Sequence, residues 1–229
     1  MTVAVKKFKE KDTNPQVKKT ALREIRMLKT LKHQNIVSLL EIFRRKAKLY
    51  LVFDFVEHTV LEELERKSGG LDSLRVKKIM YQLLIALRHC HSNNVVHRDI
   101  KPENLLVTSQ GVLKLCDFGF ARSLNSQNGC YTDYVSTRWY RAPELLVGDT
   151  RYGKQVDIWS CGCLLAELLT GIPLFPGESD IDTLQKIMKL CGNKLPSKHV
   201  QAFYNNPLYE GVEVRNNQPS YQKPRKMQN

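Results

Sequence analysis

The stretch His97-Arg98-Asp99-Ile100-Lys101-Pro102-Glu103-Asn104 sets an acid, a base and an amide within two turns' reach of one another. Thirteen residues past Asn104, the triplet Asp117-Phe118-Gly119 adds a second carboxylate. Two carboxylates, one carboxamide and one ammonium suit a site for Mg²⁺ and phosphate, because magnesium takes hard oxygen ligands and Asn104 and Asp117 can supply them. Each triplet alone is most often a turn. Their order and spacing together carry the reading.

The elements around these residues must hold them in place. Residues 3–8, Val-Ala-Val-Lys-Lys-Phe, have the β-branched and apolar character of a strand. Leu22, Ile25, Leu28 and Leu31 recur at intervals of three and predict an amphipathic helix, with Glu24 on the border of its apolar stripe. Residues 36–43 and 48–55 read as a hairpin joined by Arg44-Arg45-Lys46-Ala47. After Ser68-Gly69-Gly70 the pattern turns helical. Asp72 or Ser73 caps a segment carrying Ile79, Leu83, Ala86, Leu87 and Cys90, which ends near Asn93-Asn94. Val112 to Cys116 is a short strand delivering Asp117, and Asp157 to Leu169 is a strongly apolar helix with a mainly structural role. Ile181, Leu184, Ile187 and Met188 predict one more amphipathic helix. Beyond Leu195 the chain reads as loop, and its end as a solvated basic tail.

Length and composition bound the class. The 229 residues, 42% hydrophobic and 26% charged, are ample for one large domain or two lobes with a core. The longest apolar runs fall far short of the ~20 residues of a membrane helix, so no membrane association is expected. Six scattered cysteines form neither a disulfide framework nor a paired metal motif, which points to a reduced intracellular setting, cytoplasmic or nuclear. The formal charge of +13 is dispersed. No zinc finger, RNA-binding signature or basic zipper accompanies it, so solvated faces and a phosphate-handling site account for it, and nucleic-acid recognition is not expected.

The pattern H-R-D-x-K-x-x-N followed by D-F-G resembles the catalytic core of the eukaryotic protein kinases. The T-D-Y triplet at residues 132–134, with D-F-G-F-A-R before it and Y-R-A-P-E-L-L-V-G-D after it, resembles more narrowly the cyclin-dependent-kinase-like family, over Val3 to about Val212. The resemblance implies an α+β, bilobal protein-kinase fold: a small β-rich lobe in residues 1–56, a mainly helical lobe in 57–212, and a disordered basic tail in 213–229. The family's Gly-rich loop lies upstream of its lysine strand, whereas the first glycine here is Gly69. The small lobe is therefore expected without its first two strands and the large lobe without its last helices, as in a fragment.

The family's roles carry over residue by residue. Asp99 is the catalytic base, Lys101 steadies the γ-phosphoryl group, and Asn104 and Asp117 hold Mg²⁺. Lys6, paired with Glu24, grips the α and β phosphates of ATP. Ala4, Val37, Phe53, Asp54, Val56 and Leu106 line the adenine pocket and hinge. Arg23, Arg98 and Arg122 match the cations that gather around a phosphothreonine, which makes Thr132 and Tyr134 the regulatory positions and implies an activating kinase. The implied reaction is ATP-dependent phosphorylation of protein Ser/Thr, proline-directed by resemblance of Trp139-Tyr140-Arg141. The helix around Thr20 to Glu24 only partly resembles one that contacts a cyclin, so no cyclin-like partner is assigned. Two alternatives stand beside this: a catalytically weak fragment serving as a binding module, and a small-molecule kinase, which would lack the peptide-positioning segment at residues 137–144.

Overall fold

The computed structural model describes residues 2–9, 15–46, 48–124, 137–192 and 195–212. Thr132 and Tyr134 lie outside them, as do Ala47 of the hairpin turn and the basic tail from residue 213. The architecture is α+β and bilobal: a small antiparallel sheet with one helix, then a larger helical body.

The first strand, β1 (Val3–Lys9), is followed by helix α1 (Pro15–Thr30), strand β2 (Leu39–Arg44) and strand β3 (Lys48–Asp54). The sheet order is β1-β3-β2, so β1 is an edge strand with Lys6 opposite Leu51 and Ala4 opposite Phe53. Strand alternation explains the lysine's direction. Val3 and Val5 face solvent, while Ala4 and Phe8 pack on the core from the face that Lys6 shares.

Helix α1 departs from the expected stripe. Its buried face is Ala21, Glu24, Met27, Leu28 and Leu31, and Leu22 is 48% exposed. A strict interval of three drifts around a helix of 3.6 residues per turn, so Leu22 and Leu31 cannot share a face. Glu24 therefore sits in the middle of the packed side rather than at its border.

The helical body begins with β4 (His58–Thr59), α2 (Val60–Glu65) and α3 (Ser73–Ser92), the last capped by the Asp72 carboxylate accepting from the Arg75 amide at 2.9 Å. Strands β5 (Val95–Val96), β6 (Leu105–Val107), β7 (Leu113–Leu115) and β8 (Arg122–Ser123) flank the loop from His97 to Asn104 and the D-F-G turn. Helices α4 (Pro143–Leu146), α5 (Gln155–Thr170), α6 (Asp180–Cys191) and α7 (Ser197–Tyr204) complete the described part. The last corrects the expectation of loop beyond Leu195. That helix buries only His199 and Phe203, one turn apart, too few positions to register as a stripe.

One core cluster runs through both lobes, from Leu28 and Leu51 to Leu83, Leu105, Phe118 and Leu164. A second joins Tyr140, Leu146, Phe175, Leu184 and Phe203. Burial pushes the thiols of Cys90, Cys161 and Cys163 up to about 12, so they behave as small core hydrophobes. Gly171 ends α5 with φ 74, and a side chain there would meet the Gly70 nitrogen at 2.7 Å, where the loop before α3 presses on the helix end.

The segment carrying Trp139 to Arg141 is tied to this body by hydrogen bonds. The Tyr140 hydroxyl donates to Glu167 Oε2 at 2.6 Å in the core, and Ser160 Oγ donates to the Tyr140 carbonyl at 2.7 Å. Burial raises the Glu167 carboxyl above its ordinary range, and the phenol's hydrogen bond partly offsets this. Tyr140→Phe strips that donor from a buried acid and is expected to cost about 1–3 kcal/mol. Thermal melts of the variant and wild type check this, and an unchanged melting temperature would contradict it.

Candidate active site

The loop from His97 to Asn104 leaves β5 in a conformation that an arginine does not favour. Arg98 has φ 69, a left-handed geometry costly for a residue with a Cβ. It is held by one acid: Asp157, fully buried at the start of α5, accepts from the His97 amide at 2.9 Å and the Arg98 amide at 2.8 Å. The His91 ring meets the same carboxylate at 2.8 Å. A residue read from sequence as part of a structural helix thus fixes the loop's backbone.

The loop's reactive side chains converge. Asn104 Nδ2 donates to both the Asp99 carbonyl and Asp99 Oδ2 at 2.8 Å, and Lys101 Nζ lies 3.3 Å from the same Oδ2. Asp99 and Asn104 are each 6% exposed, so the carboxylate's position is set by these contacts rather than by water. His97 links the loop to the D-F-G turn. Its Nε2 faces the Cys116 carbonyl at 3.0 Å while its Nδ1 accepts from the Asp99 amide at 3.2 Å, which fixes the tautomer as Nε2–H. The Cys116 amide returns a bond to the Asn104 carbonyl at 3.0 Å.

From Cys116 the chain enters Asp117, which also has positive φ, 57. Asp tolerates this region better than most residues. Its Oδ1 accepts from the Gly119 amide at 3.3 Å and from Lys6 Nζ at 3.1 Å. A Cβ added at Gly119 would sit 2.8 Å from Thr20 Cγ2 on α1, so a larger residue there would force the turn or the helix side chain to shift. Lys6 also donates to Glu24 Oε2 at 2.8 Å, so one ammonium bridges two carboxylates from two lobes.

One ammonium cannot fully serve both acids. Burial pulls Lys6 down, yet Glu24 and Asp117 together outweigh it and hold the ammonium above its ordinary value. Burial resists ionisation of Asp117, but Lys6 and the Gly119 amide bring its carboxyl below the usual range. Glu24, 2% exposed, goes the other way: burial holds it above the usual range despite Lys6. The two directions are compatible because the deeper acid bears the desolvation. An acid raised on folding favours the fold at low pH and loses that contribution as pH rises through its folded value. Lys6→Met removes the shared cation and raises Glu24 further. The variant's deficit in melting temperature is therefore expected to be largest near pH 8 and to shrink toward pH 5. A deficit independent of pH would contradict the shared-charge account.

The remaining expected positions fall as follows. Ala4, Val37 and Phe53 border the core beside Lys6, with Val37 and Phe53 buried. The Asp54 amide donates to the Ser38 carbonyl at 3.2 Å, and its side chain lies 3.9 Å from Lys114 Nζ. Val56 is half-buried, and Leu106 is half-buried on β6 opposite Thr59. Arg98 and Arg122 meet at the Tyr152 hydroxyl, and Arg23 donates to the Gly119 carbonyl at 3.0 Å. Arg138 and Arg141 both reach Asp180 Oδ1, at 2.8 and 3.0 Å. A cavity of about 610 Å³ lies away from Lys6 and Asp117, between Arg98, Arg141, Arg151 and Lys198. Tyr152, Asp157 and Asp180 were not singled out as site residues from sequence.

Whether the donors fit Mg²⁺ can be judged from the oxygens left over. Asn104 commits its nitrogen to Asp99, and no described contact engages its Oδ1. Asp117 uses Oδ1 for Lys6 and Gly119, leaving Oδ2. Among the described residues no group of three His, Cys, Asp or Glu side chains forms a self-contained metal cage. Two hard oxygens fit an ion that completes its shell with phosphates and water.

Residues 1–214 match the protein kinase domain, and the chain belongs to the protein kinase family. It is 55% identical over 220 residues to cyclin-dependent kinase-like 2 of Oryctolagus cuniculus, covering 95% of this chain and 39% of that protein. It is 56% identical over 212 residues to cyclin-dependent kinase-like 4 of Homo sapiens (93% of this chain, 55% of the relative), and 57% over 211 residues to cyclin-dependent kinase-like 5 of Mus musculus (92% and 22%). The chain thus spans between about a fifth and about half the length of these relatives. No described helix is long and apolar enough to cross a membrane.

Proposed function

We propose that this chain is the catalytic part of a serine/threonine protein kinase that transfers the γ-phosphoryl group of ATP, with Mg²⁺, to protein substrates. The supporting observation is a continuous network: Lys6 bridges Glu24 and Asp117, and Asp117 is joined through Cys116 and Asn104 to Asp99. Lys6 would take the α and β phosphates, and Asn104 and Asp117 would hold the metal. The ion neutralises phosphate charge when bound.

Asp99 orients the substrate Ser or Thr hydroxyl and accepts its proton as the oxygen bonds to the γ-phosphorus. The bond from that phosphorus to the β–γ bridging oxygen breaks, and ADP leaves with the electron pair. Lys101, 3.3 Å from Asp99, stands where it can steady the transferring group. The resemblance of Trp139-Tyr140-Arg141 supports a preference for proline after the acceptor residue. Phosphorylation of Thr132 by an activating kinase would bring about two negative charges to Arg23, Arg98 and Arg122 and tie helix α1 to the catalytic loop. The working compartment is cytoplasmic or nuclear.

Magnesium-dependent transfer of label from γ-labelled ATP to a generic basic protein tests the reading. Wild type is expected to transfer label and Asp99→Asn to lose it. Identical background rates would leave a binding module in place of an enzyme.

A further inference from the structure

Strand β7 delivers Asp117, yet it lies at the edge of its sheet, whose order is β4-β6-β7. Strand β6 pairs with one side of it. The other side is completed by residues distant in sequence. The Leu113 amide donates to Gln82 Oε1 at 3.0 Å, and the Leu113 carbonyl accepts from Asn35 Nδ2 at 2.9 Å. The Leu115 amide donates to the Asn35 carbonyl at 2.9 Å, and the Leu115 carbonyl accepts from the Val37 amide at 3.0 Å. Both leucines are fully buried, so their backbone groups depend on partners within the protein.

One carboxamide joins these contacts to the helical body. Gln82, on α3, accepts at Oε1 from Asn35 Nδ2 at 3.1 Å as well as from the Leu113 amide. Its Nε2 donates to the Gly111 carbonyl at 3.1 Å and to the Lys78 carbonyl at 3.3 Å. Two donors on the oxygen and two acceptors on the nitrogen use the full capacity of the group and fix which way it points. Helix α3, the turn before β7, β7 itself and the small lobe's Asn35 all meet at this side chain.

We infer that Gln82 is a positioning residue: by tying Asn35 and Leu113 to α3 it holds β7 in place, and with it Asp117, two residues beyond the strand's end. The Cys116 amide, between them, bonds the Asn104 carbonyl at 3.0 Å, so a shift of β7 would reach the loop from His97 to Asn104 as well. The inference rests on the kinase reading only for what Asp117 does once it is placed. Gln82→Leu keeps much of the bulk but strips a partner from the Leu113 amide, Asn35 Nδ2 and the Gly111 carbonyl. Gln82→Glu retains the oxygen acceptor that Asn35 and Leu113 use. Gln82→Asn retains the amide but draws it back by one carbon.

The test is amide hydrogen exchange of the whole chain, read by mass spectrometry in peptides covering residues 113–119 and, as the reference, residues 184–191 of α6, whose core is the separate cluster around Phe203. No nucleotide or turnover is involved, so failure of the kinase reading would leave this result standing. Gln82→Leu is expected to speed exchange in residues 113–119 about tenfold, the scale of one net hydrogen bond, with α6 unchanged. Gln82→Glu should stay within about threefold of wild type there, since the acceptor remains. Should Gln82→Leu fail to fold, Gln82→Asn gives the same local reading, because its amide falls short of Leu113. A glutamine of merely structural value would speed exchange equally in both peptides. That outcome, exchange in residues 113–119 indifferent to the loss of Gln82, or Gln82→Glu as fast as Gln82→Leu would overturn the inference.

Discussion

Asp99→Asn is expected to slow phosphoryl transfer by about 10²- to 10⁴-fold, the range for loss of a positioned general base. The amide keeps the carboxylate's shape and can still accept from Asn104 Nδ2, now at 2.8 Å from Asp99 Oδ2. Fold and ATP affinity should therefore survive while the hydroxyl loses its proton acceptor. Steady-state rates at saturating MgATP measure this, with a melt of each protein as the control. A loss of less than tenfold in a correctly folded variant would remove Asp99 from the role of base.

The second large effect is on stability. Asp157→Ala deletes the one acceptor for the His97 and Arg98 amides and leaves the His91 ring without its partner, all around a carboxylate with no exposed surface. Buried donors left unpaired cost roughly 1–3 kcal/mol each. Allowing for relaxation, the expected loss is about 3–5 kcal/mol, or roughly 6–20 °C in melting temperature for a chain of this size. Activity should fall with it, because the positive φ of Arg98 persists only while its surroundings enforce it. Calorimetry and urea melts check the value. A loss below about 1 kcal/mol would mean that the loop's backbone is held by something other than Asp157.

What could be read in sequence was local or carried by spacing. The strand at Val3, the cap at Asp72, the apolar helix from Asp157 and the loop from His97 to Asn104 all announce themselves through period or residue type. Helix α1 was harder, because its buried face contains a carboxylate. Glu24 looks polar on any hydrophobic count, yet it is 2% exposed because Lys6 reaches it from β1. The helix at Ser197–Tyr204 was missed for a related reason, with just two buried positions and His199 as one of them.

Long-range side-chain contacts leave no periodic trace. Asp157 reaches His97 across 60 residues, Tyr152 reaches Arg98 across 54, and Asp180 reaches Arg141 across 39. Each is a single polar residue that, in isolation, reads as a solvated turn or helix start. Only folding reveals that they anchor the His97 amide, the Arg98 guanidinium and the Arg141 guanidinium.

The central claim is that Lys6, Asn104 and Asp117 together grip a nucleotide and its metal. Calorimetric titration of ATP into wild type and Asp117→Asn, with and without Mg²⁺, tests it most directly. Tight binding that depends on Mg²⁺ in wild type, and loses that dependence in the variant, is the expected result. ATP binding indifferent both to the metal and to the Asp117 substitution would contradict it.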